Sequence, residues 1–220
     1  MFNQGPFSVM PLSDFEKADV KGRIYRISHS EAPWGDYGRI LFQGIANYRS
    51  NIADELRLER TGPFVPPITF PGIWEIVVTS EMMKAMEESG FKGIGFRKVV
   101  KTRITKVDWH KWDMNADDPK GYPSQGEPKN YILARKHNEK ISVEMGDIWE
   151  VVVLNGVVFK HIDSSKIVLK FDNVPTSWSG SDIFSINGQR RYTSQRAKDW
   201  FQRYFPEWTN FEEVITKDDV

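Results

Sequence analysis

One pattern is written twice in this chain, and it constrains the fold more than any other feature. Residues 78–99 read VTSEMMKAMEESGFKGIGFRKV, and residues 192–214 read YTSQRAKDWFQRYFPEWTNFEEV. Thr79-Ser80 aligns with Thr193-Ser194, Lys84 with Lys198, and Phe91 with Phe205. After one inserted residue, Phe96 aligns with Phe211 and Val99 with Val214. Just upstream, Ile73, Trp74 and Ile76 align with Ile183, Phe184 and Ile186. Each copy spells strand, helix cap, helix, strand. Thr79 or Ser80 in the first copy, and Thr193-Ser194 in the second, suit the cap, because a short hydroxyl side chain accepts from the free N–H groups of the first turn. Glu81 suits the positive end of the helix dipole. Met82, Ala85 and Met86 share a helix face, and Gly90 suits the left-handed residue that ends it. In the second copy Ala197, Trp200, Phe201 and Tyr204 fall at i, i+3, i+4 and i+7, Pro206 blocks continuation, and residues 209–215 close as a strand. A unit this small cannot bury both its helix stripe and its strand face alone. The pattern predicts an α+β fold with mainly antiparallel sheet, few short helices and two similar strand–helix–strand units.

The remaining chain fits such a body. Residues 23–29 alternate as a strand, 32–39 form a loop, and 40–45 form a second strand. Residues 53–62 suit either a short helix or a polar strand. Residues 63–72 hold four prolines, and proline removes a backbone donor, so this is extended, irregular chain. A buried strand is expected at 73–78, and one long strand or a bent pair at 94–109. Asn155-Gly156, between IWEVVVL and VVFKHI, predicts a type I′ hairpin, with 166–171 adding a third strand. Asn187-Gly188 marks another tight turn. The polar stretch 115–130 is a surface loop or a hinge. Residues 1–220 thus form one α+β domain, or two pseudo-repeated halves, 1–114 and 131–220, joined by that loop.

Composition narrows the function. The chain has 220 residues, 40% of them hydrophobic, enough for a substantial core. Lys and Arg balance Asp and Glu at a formal net charge of +0. The basic excess typical of nucleic-acid binders is missing, and no such partner is expected. With 0 cysteines, disulfides, zinc–thiolate sites and cysteine nucleophiles are excluded. No secretory signal and no membrane span is read from the chain, so a soluble cytoplasmic protein is expected.

Chemistry is sparse. In VDWHKWD, residues 107–113, a strand would place Asp108 and His110 on one face and Asp113 on the other. A His–Asp pair suits base and orienter, yet no nucleophile or third ligand stands at a diagnostic spacing. His137 and His161 are isolated. GFKGIG, residues 90–95, follows a helix instead of opening one, so it lacks the order of a phosphate cradle. Trp34, Trp109, Trp112 and Trp178 lie among polar or glycine-rich neighbours, as core residues or as binding anchors. No cofactor or metal is expected.

The segment TSEMMKAMEESGFKGIGFRKV resembles a module of bacterial immunity-like proteins from polymorphic toxin systems, including the double-CXXCG motif group. SDIFSINGQRRYTSQRAKDWFQRYF is similar to the C-terminal element of that group, and LERTGPFVPPITFPGIWEIVVTS to a further block of such proteins. This chain lacks the cysteines of the double-CXXCG knuckle. The resemblance implies a non-catalytic cytoplasmic protein that binds and neutralises a cognate toxin. If the repeats are committed to the core, recognition falls elsewhere. The segment 109–125 offers Trp109, Trp112, Asp113, Asp117, Asp118 and Tyr122, and the 175–180 loop offers Trp178. Both mix aromatic with adaptable polar residues, as interfaces do. The other readings are a hydrolase using Asp108, His110 and Asp113, and a carbohydrate- or peptide-binding module using exposed Trp.

Overall fold

The protein is described by a computed structural model at residues 11, 23–47, 55–121, 126–157, 162–163, 168–169, 180–186 and 189–214. In chain order the elements are β1 (Ile24–His29), α1 (Asp36–Gln43), β2 (Ile45–Asn47), β3 (Arg57–Gly62), β4 (Ile68–Thr69) and β5 (Val77–Thr79). Next come α2 (Ser80–Glu88), β6 (Ile94–Lys98), β7 (Val100–Lys106), a 3-10 turn (Trp109–Lys111), α3 (Asn130–Leu133) and α4 (Glu139–Glu144). The remainder is β8 (Ile148–Val153), β9 (Gly156–Val157), β10 (Ile162–Asp163), β11 (Val168–Leu169), β12 (Ile183–Ile186), β13 (Gln189–Ser194), α5 (Gln195–Tyr204) and β14 (Thr209–Val214). The fold is α+β, with mainly antiparallel sheets and short helices.

The two copies of the pattern have the same topology. One sheet has the order β4-β5-β8-β6, and another the order β14-β1-β13-β12-β9. In the second, the β12–β13 hairpin leads into α5, and α5 leads to β14 on the far side of β1. In the first, β4 and β5 pair antiparallel, α2 follows, and β6 lies on the far side of β8. The inserted strand is antiparallel to its neighbours in each case: β1 pairs so with β13 and β14, and β8 with β5. Against β6, the bonds Leu154 N–H to Gly93 O and Val99 N–H to Ile148 O run in opposite senses. Each copy is therefore a split βαβ unit, a helix crossover that leaves room for one foreign strand.

The described chain divides into two compact units that interleave in sequence: 1–29, 81–95 and 152–220, and 30–80 and 96–151. The polar stretch 115–130 lies within the second unit, away from the crossing points at 29/30, 80/81, 95/96 and 151/152. In the first unit Ile24, Phe184, Ile186, Tyr192 and Val214 pack together. Ala197, Trp200 and Phe201 of α5 are fully buried, as their helical spacing predicts. Asp182 is 0% exposed and fully engaged. It accepts from Arg196 Nε and Nη2 at 2.5 and 2.6 Å, from Ser194 Oγ at 3.0 Å and from Lys92 N–H at 2.8 Å. That set supplies what a buried carboxylate needs. In the second unit Leu56, Leu58, Val65, Val77, Val99 and Ile148 form the core.

Several expectations change. Residues 40–45 are not a strand: α1 runs through 36–43 and buries Tyr37 and Leu41, one helical turn apart. A short apolar run does not separate strand from helix by periodicity. Of the stretch 53–62, Arg57–Gly62 is strand, β3. Residues 73–78 are strand only from Val77, and Ile73 is 73% exposed. Residues 94–109 are the bent pair, with β6 and β7 in different sheets and Trp109 in the 3-10 turn. Among the described residues no hairpin is formed at Asn155-Gly156, since β8 is paired on both edges by β5 and β6. Strand β9 instead pairs in parallel with β12, and Asn155 Nδ2 donates to Ser181 Oγ at 2.7 Å. Ser194 caps α5, accepting from Ala197 N–H at 3.3 Å. Ser80 Oγ is used differently, donating to Asp147 O and accepting from Trp149 Nε1, both at 3.0 Å. Gly90 has the left-handed φ of 75° expected of it. Asn187-Gly188, His161 and most of 166–171 lie outside the described residues.

Candidate functional site

The site begins at a strained turn. Pro33-Trp34-Gly35 precedes α1, and Trp34 has a φ of 62° and Gly35 a φ of 59°. A bulky residue in the left-handed region costs on the order of 1–3 kcal/mol and persists only where the surroundings hold it. Here the hold is visible. Trp34 Nε1 donates to Ala116 O at 2.8 Å. Gly38 in α1 leaves room for the Pro33 carbonyl, which any side chain there would strike. One turn along, the Tyr37 hydroxyl donates to Gly121 O. The irregular segment 116–121 is thus fastened near both ends by residues of one turn and one helix, with Asp117 and Asp118 exposed between them.

Aromatic rings form the floor. Trp34 and Trp112 have centroids 6.0 Å apart with planes inclined at 51°. Trp112 meets Tyr131 at 6.3 Å and 74°, and Tyr131 meets Tyr37 edge-on at 5.4 Å. Such tilted and edge-on arrangements suit the ring quadrupole. The Arg135 guanidinium lies 3.9 Å from the Tyr131 centroid. Trp34 and Trp112 are each half-buried, whereas Tyr37 and Tyr131 are buried. Asp113 is exposed, and its Oδ1 accepts from Asn115 N–H at 3.0 Å, fixing the turn after Trp112. Asp117 and Asp118 have no ion-pair partner among the described residues.

Of the expected surface residues, the structure brings together Trp112, Asp113, Asp117 and Asp118 and withdraws Trp109. Trp109 is 1% exposed, stacked on Phe42 at 4.0 Å and edge-on to Phe64 at 5.1 Å. Its Nε1 donates to Thr61 Oγ1 at 3.1 Å. It is a core residue with its polar end satisfied. Tyr122 and Trp178 lie outside the described residues. Sequence reasoning missed Tyr37 and Tyr131, and it named Trp34 without placing it. The available signal was the glycine after Trp34 in APWGDYG, which marks an unusual turn.

Asp108, His110 and Asp113 are not joined by hydrogen bonds among the described residues. His110 stacks on Phe64 at 4.6 Å, and Asp108 Oδ2 faces Lys111 Nζ at 3.3 Å. His110 Nδ1 and Asp108 Oδ1 are buried without a hydrogen-bond partner. Burial lowers the His110 pKa from 6.5, with Lys111 acting the same way and Asp108 opposing. His137 is exposed: its Nδ1 accepts from Ile104 N–H at 3.0 Å, and its Nε2 faces Glu139 Oε2 at 3.0 Å. It borders a cleft of about 550 Å³ that also contains Lys98 and Lys101. Lys101 Nζ donates to Ser142 O at 2.5 Å and Gly146 O at 2.8 Å, and burial lowers its pKa. Among the described residues no group of three or more His, Asp or Glu is placed to hold a metal ion. No helix among them is long and apolar enough to cross a membrane. No family model, no curated protein and no solved structure matches this chain.

Proposed function

We infer that this is a non-catalytic binding protein, a cytoplasmic immunity protein that neutralises a cognate bacterial toxin by direct contact. The observation that carries the binding reading is the strained, fastened cluster of Trp34, Trp112 and Tyr131 beside Asp113, Asp117 and Asp118. Rigid aromatic side chains give large contact area at low entropic cost, and half-buried tryptophans are the residue type that anchors interfaces. The toxin class rests on the resemblance of residues 79–99 and 181–205 to immunity-like modules. The test is co-purification and growth rescue with candidate toxins, beginning with any secreted toxin found in the neighbouring genes. Trp112→Ala combined with Asp117→Asn and Asp118→Asn is expected to weaken capture at least tenfold and abolish rescue, in a variant that keeps its circular dichroism. Full capture by that folded variant places recognition elsewhere. His110→Ala is expected to leave rescue intact, and a loss of more than about a hundredfold in a folded variant, equal to about 2.7 kcal/mol of transition-state stabilisation, marks an enzyme instead.

A further inference from the structure

We propose that His137 is an acid-sensitive latch: as neutral imidazole it fastens the start of α4 to the edge of β7, and on protonation it lets that edge go. The proposal does not depend on the toxin-binding reading. It stands on one strand residue held twice by the chain that leads into α4. Ile104 N–H donates to His137 Nδ1 at 3.0 Å, and Ile104 O accepts from Asn138 N–H at 2.8 Å. Asn138 also caps α4, its Oδ1 accepting from Ile141 N–H at 3.1 Å. Two adjacent residues therefore cover the strand and begin the helix. Strand β7 is the outer strand of the sheet β2-β3-β7, and Ile104 is 0% exposed. Its N–H has no solvent to turn to if the imidazole leaves.

A ring nitrogen that accepts a hydrogen bond carries no proton, so the neutral ring holds its proton on Nε2, toward Glu139 Oε2 at 3.0 Å. Imidazolium carries a proton on both nitrogens. Its Nδ1–H and the Ile104 N–H then point at each other, and the bond is lost. Protons reach the ring, because His137 is exposed. Histidine is also the side chain whose charge changes between about pH 5 and 8. The surrounding charges divide. Glu139 touches the ring and favours imidazolium, and Glu55 and Asp147 line the same cleft. Lys98 and Lys101 line it too and oppose, but Lys98 is drawn to Asp147 at 2.8 Å, and Lys101 Nζ donates to Ser142 O and Gly146 O. On β7, Arg103 is turned to Arg135 O and toward Glu59. Glu139 is thus the charge in direct contact. Lys101 keeps its hold on the far end of α4, so release is confined to Ile104, Asn138 and the first turn of the helix. What it uncovers is unpaired backbone on an outer strand, the kind of edge that accepts another chain.

The test is amide hydrogen exchange, read residue by residue by NMR on the intact protein at about pH 7.5 and about pH 5.5, with the intrinsic pH dependence of exchange divided out. Protection of the Ile104, Asn138 and Ile141 amides is expected to fall at least tenfold in acid. The Val107 amide, bonded to Gly62 O on the opposite edge of the same segment, is expected to keep its protection. His137→Gln supplies an amide oxygen that accepts and does not titrate, and it is expected to hold Ile104 protected at both pH values. Glu139→Gln removes the charge that favours imidazolium, and it is expected to move the midpoint of the Ile104 change to lower pH. Equal protection of Ile104 at both pH values in the parent overturns the proposal. So does an equal acid loss in His137→Gln, which assigns the effect to another group, or a loss shared by Val107, which marks general unfolding. A midpoint that stays or rises in Glu139→Gln overturns it as well, and that arm stands whether or not His137→Gln folds.

Discussion

The two split βαβ units solve the same topological problem with different fastenings. Around β1, helix α5 stays on its own sheet, and its entry is locked by Asp182, which gathers Arg196, Ser194 and the Lys92 N–H. Around β8, the corresponding serine, Ser80, is bonded to the strand beside it through Asp147 O and Trp149 Nε1. The buried carboxylates differ in the same way. Arg196 meets Asp182 fork to fork, one nitrogen on each oxygen. Arg97 places Nε at 3.1 Å and Nη2 at 2.8 Å on a single oxygen of Glu150, which is 2% exposed. Equal topology therefore does not mean equal energetics. The serine aligned between the copies secures a helix in one and a strand pair in the other.

This comparison can be pressed experimentally. The largest effect is expected from Arg196→Ala, which strips the main counter-charge from a fully buried carboxylate. A loss of about 3 kcal/mol should appear in urea unfolding, at the lower end for a broken buried pair because Ser194 and the Lys92 N–H remain. Arg97→Ala should cost less, and an equal or larger loss there would erase the distinction between the two fastenings. Next, Ser194→Ala should cost about 1 kcal/mol as a lost cap. Ser80→Ala should instead alter Trp149 fluorescence, and a silent spectrum would contradict the assigned bond. The smallest effect concerns His110. Its folded pKa is depressed below 6.5, chiefly by burial. Neutral His110 therefore favours the folded state above that pH, and this contribution is lost as pH falls through the lowered value. His110→Gln should show a flatter decline in stability between pH 7 and pH 5 than the parent, and parallel curves would remove His110 as a cause.

How legible this was depended on whether a residue's partners lay nearby in sequence. The faces of α2 and α5, the stop at Gly90 and the end of α5 before Pro206 follow from local spacing, and all are found. Trp109 could not be placed from its neighbours, because Phe42, Phe64 and Thr61 come from distant segments. Near-identical strings show the limit most directly. IWEIVV at 73–78 and IWEVVV at 148–153 differ at one position, yet Ile73 is 73% exposed and Ile148 is 1% exposed. Strand β8 has a neighbour along both edges, whereas the first half of the other string lies outside any strand. Strand formation belongs to the pairing, and a single strand's composition does not contain it. The site was half legible for the same reason: composition marked 112–118, and the turn and helix that fasten it are remote.

The position of β1 has a consequence for the living cell. It is the first described strand to leave the ribosome, and its partners β13 and β14 are among the last, with Ile24 facing both Ser194 and Val214. At about 5–20 residues per second, β1 waits on the order of ten seconds or more for both edges to be covered. During that interval Ile24, Tyr25 and Ile27, all buried in the finished molecule, are presented to solvent beside unpaired backbone groups. Stability is then governed by the timing of synthesis as well as by contacts. A slowed ribosome or a scarce chaperone should lower the yield of this protein before any equilibrium property is affected.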